Sequence, residues 1–370
     1  MVDFGENKTH VSQTIKKAIA EYLRPLLEFA ETVLHTKQNE WPQFPIYLKA
    51  TAGLRLLEPQ QRIRVMDAVR QILHNTTYSK FKFEKEYARV ISGNEEAIYG
   101  WAGINFVMGS LLQSSEGSGT VINPKLTHGA LEMGGASTQI SFYQDNMDIM
   151  SDLFKLQIGQ GKHWNVYAHS HLCFGIHEAW NRMGALLAST IGTGTISQNN
   201  SNGGMMAHIV HNPCLAGESQ IELELNSDID KDGNSKWRVG DSNDFLPFNL
   251  IMMNQNRRGD YDACANIAYT ILNKQYNAWC DYSHRGDCSF SGVYQPQLPR
   301  QSESFGEFLA FSNYYHVWTF LRMPLRSSLN TLQDSAKKVC AMNATELKQW
   351  NNETLDEDEA SQMCFRAVSL

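Results

Sequence analysis

The stretch from Ala130 to Phe142 constrains this chain more than any other. Two apolar runs, Ala130–Met133 and Thr138–Phe142, are joined by Gly134-Gly135-Ala136-Ser137. Apolar segments of strand length around a glycine turn predict a hairpin. Successive backbone N–H groups in such a turn can also form a nest for an anion. On this segment alone, a plain hairpin and an anion site are equally open.

The rest of the chain reads as alternating helices and strands. Ile15, Ile19, Tyr22, Leu23, Leu26, Leu27, Ala30 and Leu34 recur at helical spacing. Phe44–Ala50 reads as a strand and Thr51-Ala52-Gly53 as a turn, after which Pro59 opens a helix to about Leu73. Ser92 to Glu95 matches a capping box ahead of another helix. Helical spacing returns at 178–187, 262–272 and 307–323, whereas 192–244 is rich in Asn, Gly and Ser and predicts long surface loops. The alternation in the first half gives an α/β class.

With 42 % apolar and 19 % charged residues, the chain is of globular rather than disordered type. Its net charge of −7 argues against a nucleic-acid partner, which needs a basic face. A nucleotide stays admissible, because a divalent cation can carry the phosphate charge. The seven cysteines all lie beyond residue 170 and show no CxxC spacing. Buried free thiols are one reading and disulfides the other; Cys280 and Cys288 bracket a short polar loop that suits a bridge. Sequons at Asn7, Asn75, Asn199, Asn343 and Asn352 favour the secretory path. Against that, no signal or membrane-spanning segment is evident; the longest apolar stretch, Tyr99 to Leu112, is too short and contains Asn105.

Three segments carry chemistry. In Ala50-Thr51-Ala52-Gly53-Leu54-Arg55, small residues after a strand let backbone approach a ligand, and Thr51 adds a hydroxyl; an ordinary strand-to-helix turn would look similar. In the Ser92–Trp101 segment, capping and the helix dipole account for Glu95 and leave Glu96 able to take a proton from water. In Leu131–Gln139, Glu132 stands where an acid can hold a metal through water, and Ser137 and Gln139 can orient a water in line with a phosphorus. His163, His169, His171 and His177 fit no standard zinc spacing and read as solvated or core histidines.

Taken together and in order, ATAGLRLL, ISGNEEAIYGW and LEMGGASTQISF resemble the second, third and fourth motif regions of the nucleoside triphosphate diphosphohydrolases, the apyrase family. Trp164–Gly175 and Phe290–Pro299 are similar to stretches of its membrane-bound members. The resemblance implies the two-domain, ribonuclease H-like fold of actin, sugar kinases and heat-shock ATPases, with the active site in the cleft. Residues 1–92 would belong to the first domain, which is expected to be incomplete, and 93–370 to the second. By motif, Glu96 is the general base, and Ser137 and Gln139 position the attacking water. Gly134, Gly135, Ala136 and Ser137 bind phosphate, while Thr51 and Glu132 hold hydrated Ca²⁺ or Mg²⁺. Tyr315 is the candidate for stacking on the base, with core packing as its alternative. The substrates implied are ATP, ADP, UDP and GDP. The implied setting is a membrane anchor in the full-length form, facing the cell exterior or the secretory lumen, with a homo-oligomer admissible.

The sequence also departs from the family's pattern. Its first motif region, a DxGSxxT-type phosphate loop, and its fifth are absent, so the chain is expected to be truncated at both ends and weak or inactive by itself. A catalytically inactive nucleotide-binding or scaffold protein is the alternative. The usual Asp of the fourth region is Glu132, a change that shifts the carboxylate by more than about 1 Å. The resemblance pairs Cys214 with Cys264, Cys280 with Cys288 and Cys340 with Cys364, and leaves Cys173 single.

Overall fold

The structure is a computed structural model. It describes residues 8–111, 124–145, 151–158, 163–189, 197–198, 207–225, 248–272, 289–299, 307–352 and 355–370. The chain divides into two compact units, one running to Glu96 and the other from Ala97 on.

The first unit begins with helix α1 (Lys8–Val33), then strand β1 (Leu48–Ala50), a single helical turn α2 (Ala52–Arg55), helix α3 (Pro59–His74) and strand β2 (Ala88–Val90). Pro59 sits in the first turn of α3, where its missing N–H removes no helical bond. Strands β1 and β2 pair in parallel, Leu48 opposite Ala88 and Ala50 opposite Val90, a pairing that requires a crossover such as α3 supplies. Ala20, Leu23 and Leu27 of α1 share one buried cluster with Met66, Val69, Ile72 and Leu73 of α3 and with Trp41. The expected strand over 44–50 is shorter than its apolar pattern, because only Leu48–Ala50 has a paired neighbour of strand length. The expected turn at 51–53 is instead the entry to α2.

Helix α4 (Gly93–Val107) carries the division between the units. Beyond it come β3 (Gly129–Met133), β4 (Ser137–Tyr143), β5 (Leu153–Gln157), β6 (His163–Leu172) and α5 (Ile176–Ser189). Then follow β7 (Ser197–Gln198), β8 (Ala207–His211), β9 (Gln220–Leu225), β10 (Phe248–Met253) and α6 (Tyr261–Ile271). The chain continues through β11 (Phe308–Ser312), α7 (Asn313–Phe320), α8 (Leu329–Cys340), α9 (Ala344–Asn351), α10 (Glu357–Ser361) and α11 (Met363–Val368).

Among the described residues, one sheet has the order β11-β3-β4-β6-β5. Its centre is the hairpin β3–β4, with Glu132 opposite Gln139 and Met133 opposite Thr138. Buried Asn105 of α4 pins the entry to β3, donating to the His128 carbonyl and accepting from its N–H at 2.7 Å. Trp101 of α4 meets Trp164 of β6 edge-on at 6.0 Å, closing one side of this sheet. A second sheet, β7-β8-β10-β9, lies with α5, α6, α8 and α11 around a larger core that includes Ile176, Met183, Leu250, Met252 and Phe365.

Cys214–Cys264 and Cys340–Cys364 are disulfides within that core, and Cys173 is a buried free thiol, in accord with the pairing the resemblance implied. Cys280 and Cys288 lie outside the described residues. Two expectations are corrected. Residues 308–312 form strand β11 rather than the start of a helix, because parallel pairing of Phe308–Ser312 with β3 satisfies their backbone inside a sheet. Within 192–244, β7, β8 and β9 replace part of the expected loop.

Candidate active site

In the first unit, the capping box at the start of α4 is complete. The Glu95 N–H donates to Ser92 Oγ at 3.1 Å, and the Ser92 N–H donates to Glu95 Oε2 at 3.0 Å. Arg89 forks onto the same carboxylate, at 3.0 and 2.5 Å. The Arg89 guanidinium, helped by the Ser92 N–H, holds the Glu95 carboxyl well below its usual range, at about 2. Glu95 is thereby committed to structure.

Glu96 is differently placed. Its carboxylate and the Arg55 guanidinium are both largely buried, 11 % and 14 % exposed, and meet at 2.8 Å through Oε2. A second Arg55 nitrogen donates to the Ile91 carbonyl at 3.0 Å, fixing the guanidinium. Burial pushes the Glu96 carboxyl above its usual value, and Arg55 pulls it partly back. A carboxylate raised in this way is a better base near neutral pH than an exposed one. Arg55 is the residue that sequence reading missed. Its signal was present in ATAGLR, a cation closing a turn of small and apolar residues. Thr51, at the start of that turn, is exposed, and its hydroxyl makes no capping bond; its carbonyl accepts from the Leu54 and Arg55 N–H groups.

In the second unit, the glycine turn is held from one side. The carbonyl of Gly134 accepts from the Ile176 N–H, and that of Gly135 from the N–H groups of His177 and Glu178. The carbonyl of Ala136 accepts from the Cys173 N–H at 2.7 Å. In a trans peptide the N–H points opposite to the C=O. The N–H groups of Gly135 and Ala136 therefore face away from the start of α5, the arrangement an anion nest needs. Gly175 makes this possible, since a Cβ there would lie 2.4 Å from the Ala136 nitrogen and 2.5 Å from that of Ser137. Sequence reading quoted Gly175 only as the end of a motif.

Ser137 and Gln139 are buried, at 1 % and 2 % exposure. Gln139 Nε2 donates to Ser137 Oγ at 2.5 Å and to Ser170 Oγ on β6 at 3.0 Å. With that nitrogen engaged twice, Gln139 Oε1 is a buried acceptor with no hydrogen-bond partner among the described residues. An orphaned acceptor of this kind suits an ordered water.

Glu132, directly opposite Gln139, is half-buried. Ser312 Oγ lies 3.5 Å from its Oε1. Among the described residues, no group of three or more His, Cys, Asp or Glu is placed to hold a metal ion directly. A single carboxylate with an adjacent hydroxyl fits a hydrated hard cation held through its waters, rather than a protein cage. The zinc question at the histidines has a local answer. His169 Nδ1 pairs with Asp152 at 2.8 Å, and its ring packs on His171 at 4.5 Å.

Tyr315 is 60 % exposed on α7, whereas its neighbour Tyr314 packs against the core, so core packing is not the role of Tyr315. Next to the glycine turn, His177 lines a cavity of about 270 Å³ together with Trp180, Asn181, Phe365 and Arg366.

The glycine turn, the buried Gln139 amide and the single Glu132 carboxylate are thus carried by one β-hairpin of a mixed α/β fold. The chain belongs to the GDA1/CD39 (nucleoside phosphatase) family, whose pattern it matches over residues 10–369. It is 31 % identical to ectonucleoside triphosphate diphosphohydrolase 8 of Mus musculus over 86 % of this chain and 58 % of that one. It is 30 % identical to ectonucleoside triphosphate diphosphohydrolase 1 of Bos taurus over 94 % of this chain and 62 % of that one. The chain thus spans about three fifths of the length of these curated relatives. The crystal structure of nucleoside triphosphate hydrolases from Neospora caninum superimposes with a TM-score of 0.59 at 17 % identity, covering 98 % of this chain and 72 % of that one. The fold is therefore the two-domain, actin-like α/β architecture.

Proposed function

We propose that the protein hydrolyses the terminal phosphate of nucleoside tri- and diphosphates, with ATP, ADP, UDP and GDP as the substrates to test. The observation that carries this reading is that one hairpin holds both the Gly135 and Ala136 amides, turned away from the start of α5, and the orphaned Gln139 acceptor. The amides offer donors to phosphate oxygens, and the acceptor can turn a water for attack.

In the proposed reaction, Ser137 and Gln139 orient a water in line with the phosphorus. Glu96 takes the water's proton as the new O–P bond forms at the terminal phosphorus, and the bond from that phosphorus to the bridging oxygen breaks, so that inorganic phosphate forms and the shortened nucleotide leaves. No phosphorylated side chain is formed. The assignment of Glu96 and of the hairpin residues to one reaction rests on the resemblance of their motifs. Glu132 and the Thr51 hydroxyl would hold hydrated Ca²⁺ or Mg²⁺, which supplies charge neutralisation on the phosphates. Tyr315 stays the candidate for stacking on the base. Two disulfides in the core, together with relatives named as ecto-enzymes, support an extracellular or lumenal setting.

The test is phosphate release from the four nucleotides with Ca²⁺ or Mg²⁺ and then with chelator. Cation-dependent release supports the reading. Nucleotide binding without release from any of them would favour a binding or scaffold role instead.

A further inference from the structure

The corner between β11 and α7 has a conformation that its sequence does not favour. Ser312 sits at φ 61° and ψ −126°, a region that glycine adopts readily and a residue with a Cβ does not. The strain is local to one carboxylate. Ser312 ends the strand that pairs in parallel with β3, where Phe311 stands opposite Glu132 and Ser312 opposite Met133. The turned backbone brings Ser312 Oγ to 3.5 Å from Glu132 Oε1. Asn313 donates through Nδ2 to the Met133 carbonyl at 2.8 Å, tying the same corner to the residue before the glycine turn. Gly100 of α4 also lies by this carboxylate: a Cβ there would come 3.8 Å from Glu132 Oε2, an ordinary contact, and a tighter 3.1 Å from the ring of Phe311.

We infer that Ser312 is a positioning residue for Glu132, held in a strained conformation so that its hydroxyl fixes the reach of the longer acid toward a hydrated divalent cation. A glutamate has one more rotatable bond than an aspartate and needs an additional constraint to keep one carboxylate position. The inference rests on the proposed role of Glu132 in cation binding.

The test separates strain from hydroxyl. Ser312→Ala keeps the strained Cβ and removes the hydroxyl, whereas Ser312→Gly removes both. Mn²⁺ binding to the full chain is read from loss of the free-ion electron paramagnetic signal, and thermal unfolding is followed alongside, with Glu132→Ala as reference. Both Ser312 variants are expected to bind Mn²⁺ about tenfold more weakly, as loss of an outer partner of a ligand does. Ser312→Gly is expected to unfold at a higher temperature than Ser312→Ala and no lower than the parent. A purely structural serine would not lose cation affinity as its stability rose. If Glu132→Ala loses Mn²⁺ while both Ser312 variants bind like the parent, the inference is overturned and the role of Glu132 stands. If Glu132→Ala binds like the parent, both fall.

Discussion

The two small-residue turns of this molecule look alike in sequence and differ in what they require. At Thr51-Ala52-Gly53, the chain enters a helical turn, and a Cβ added to Gly53 would touch nothing within 4 Å. At Gly134-Gly135-Ala136, the backbone is pressed against Gly175 and His177, and a Cβ on Gly135 would lie 2.9 Å from the His177 ring. The first turn delivers a side chain, Arg55, to a buried acid. The second offers backbone amides and is built around close approach. A glycine is thus demanded at position 175, where the second turn passes, and optional at Gly53 in the first.

The sharpest way to break this contrast is Gly175→Ala. The added methyl would meet the turn's backbone at 2.4–2.5 Å, which cannot be relieved by a side-chain rotation. Overpacking of this kind costs about 1–3 kcal/mol, and displacing the turn by about 1 Å can lower a rate roughly a hundredfold. Melting temperature and phosphate release should both fall; parental values for both would show that the turn is not held as described.

A smaller effect is expected from Arg55→Gln. Burial raises the Glu96 carboxyl and Arg55 opposes that rise, so removing the cation should raise it further. A base must be ionised to accept a proton, so the acid limb of the pH–rate profile should move to higher pH. A limb that stays in place would separate Glu96 from the titrating step.

The smallest effect belongs to Gly53→Ala. With open space around it and a helical position, the variant should be stabilised by up to about 1 kcal/mol, seen as a modest rise in melting temperature. A fall would mean that the two turns are under the same constraint.

Much of this was legible in the sequence where a pattern has a local cause. The hairpin followed from two apolar runs around glycines, and the capping box from Ser92 and Glu95. Helices α1 and α3 followed from apolar spacing and from Pro59. What escaped depends on partners distant in sequence. Phe308–Ser312 is a strand because β3 is there to pair with it, which its own composition does not announce. Gly175 matters because a turn some forty residues earlier passes over it, and Ser312 because Glu132 lies across a parallel pairing. Arg55 and Glu96 are likewise joined only by folding. Local rules reach caps, turns and periodicity, whereas a site assembled by tertiary contact shows its members in sequence without showing which of them meet.

The central claim is that Glu96 serves as the base while its neighbour Glu95 serves structure. The most direct measurement is phosphate release and nucleotide binding by Glu96→Gln, on the protein in its full length, beside the parent. The account predicts that binding persists while release falls by about 10²–10⁴-fold, the usual contribution of a general base. Release at the parental rate from a folded Glu96→Gln protein would contradict it.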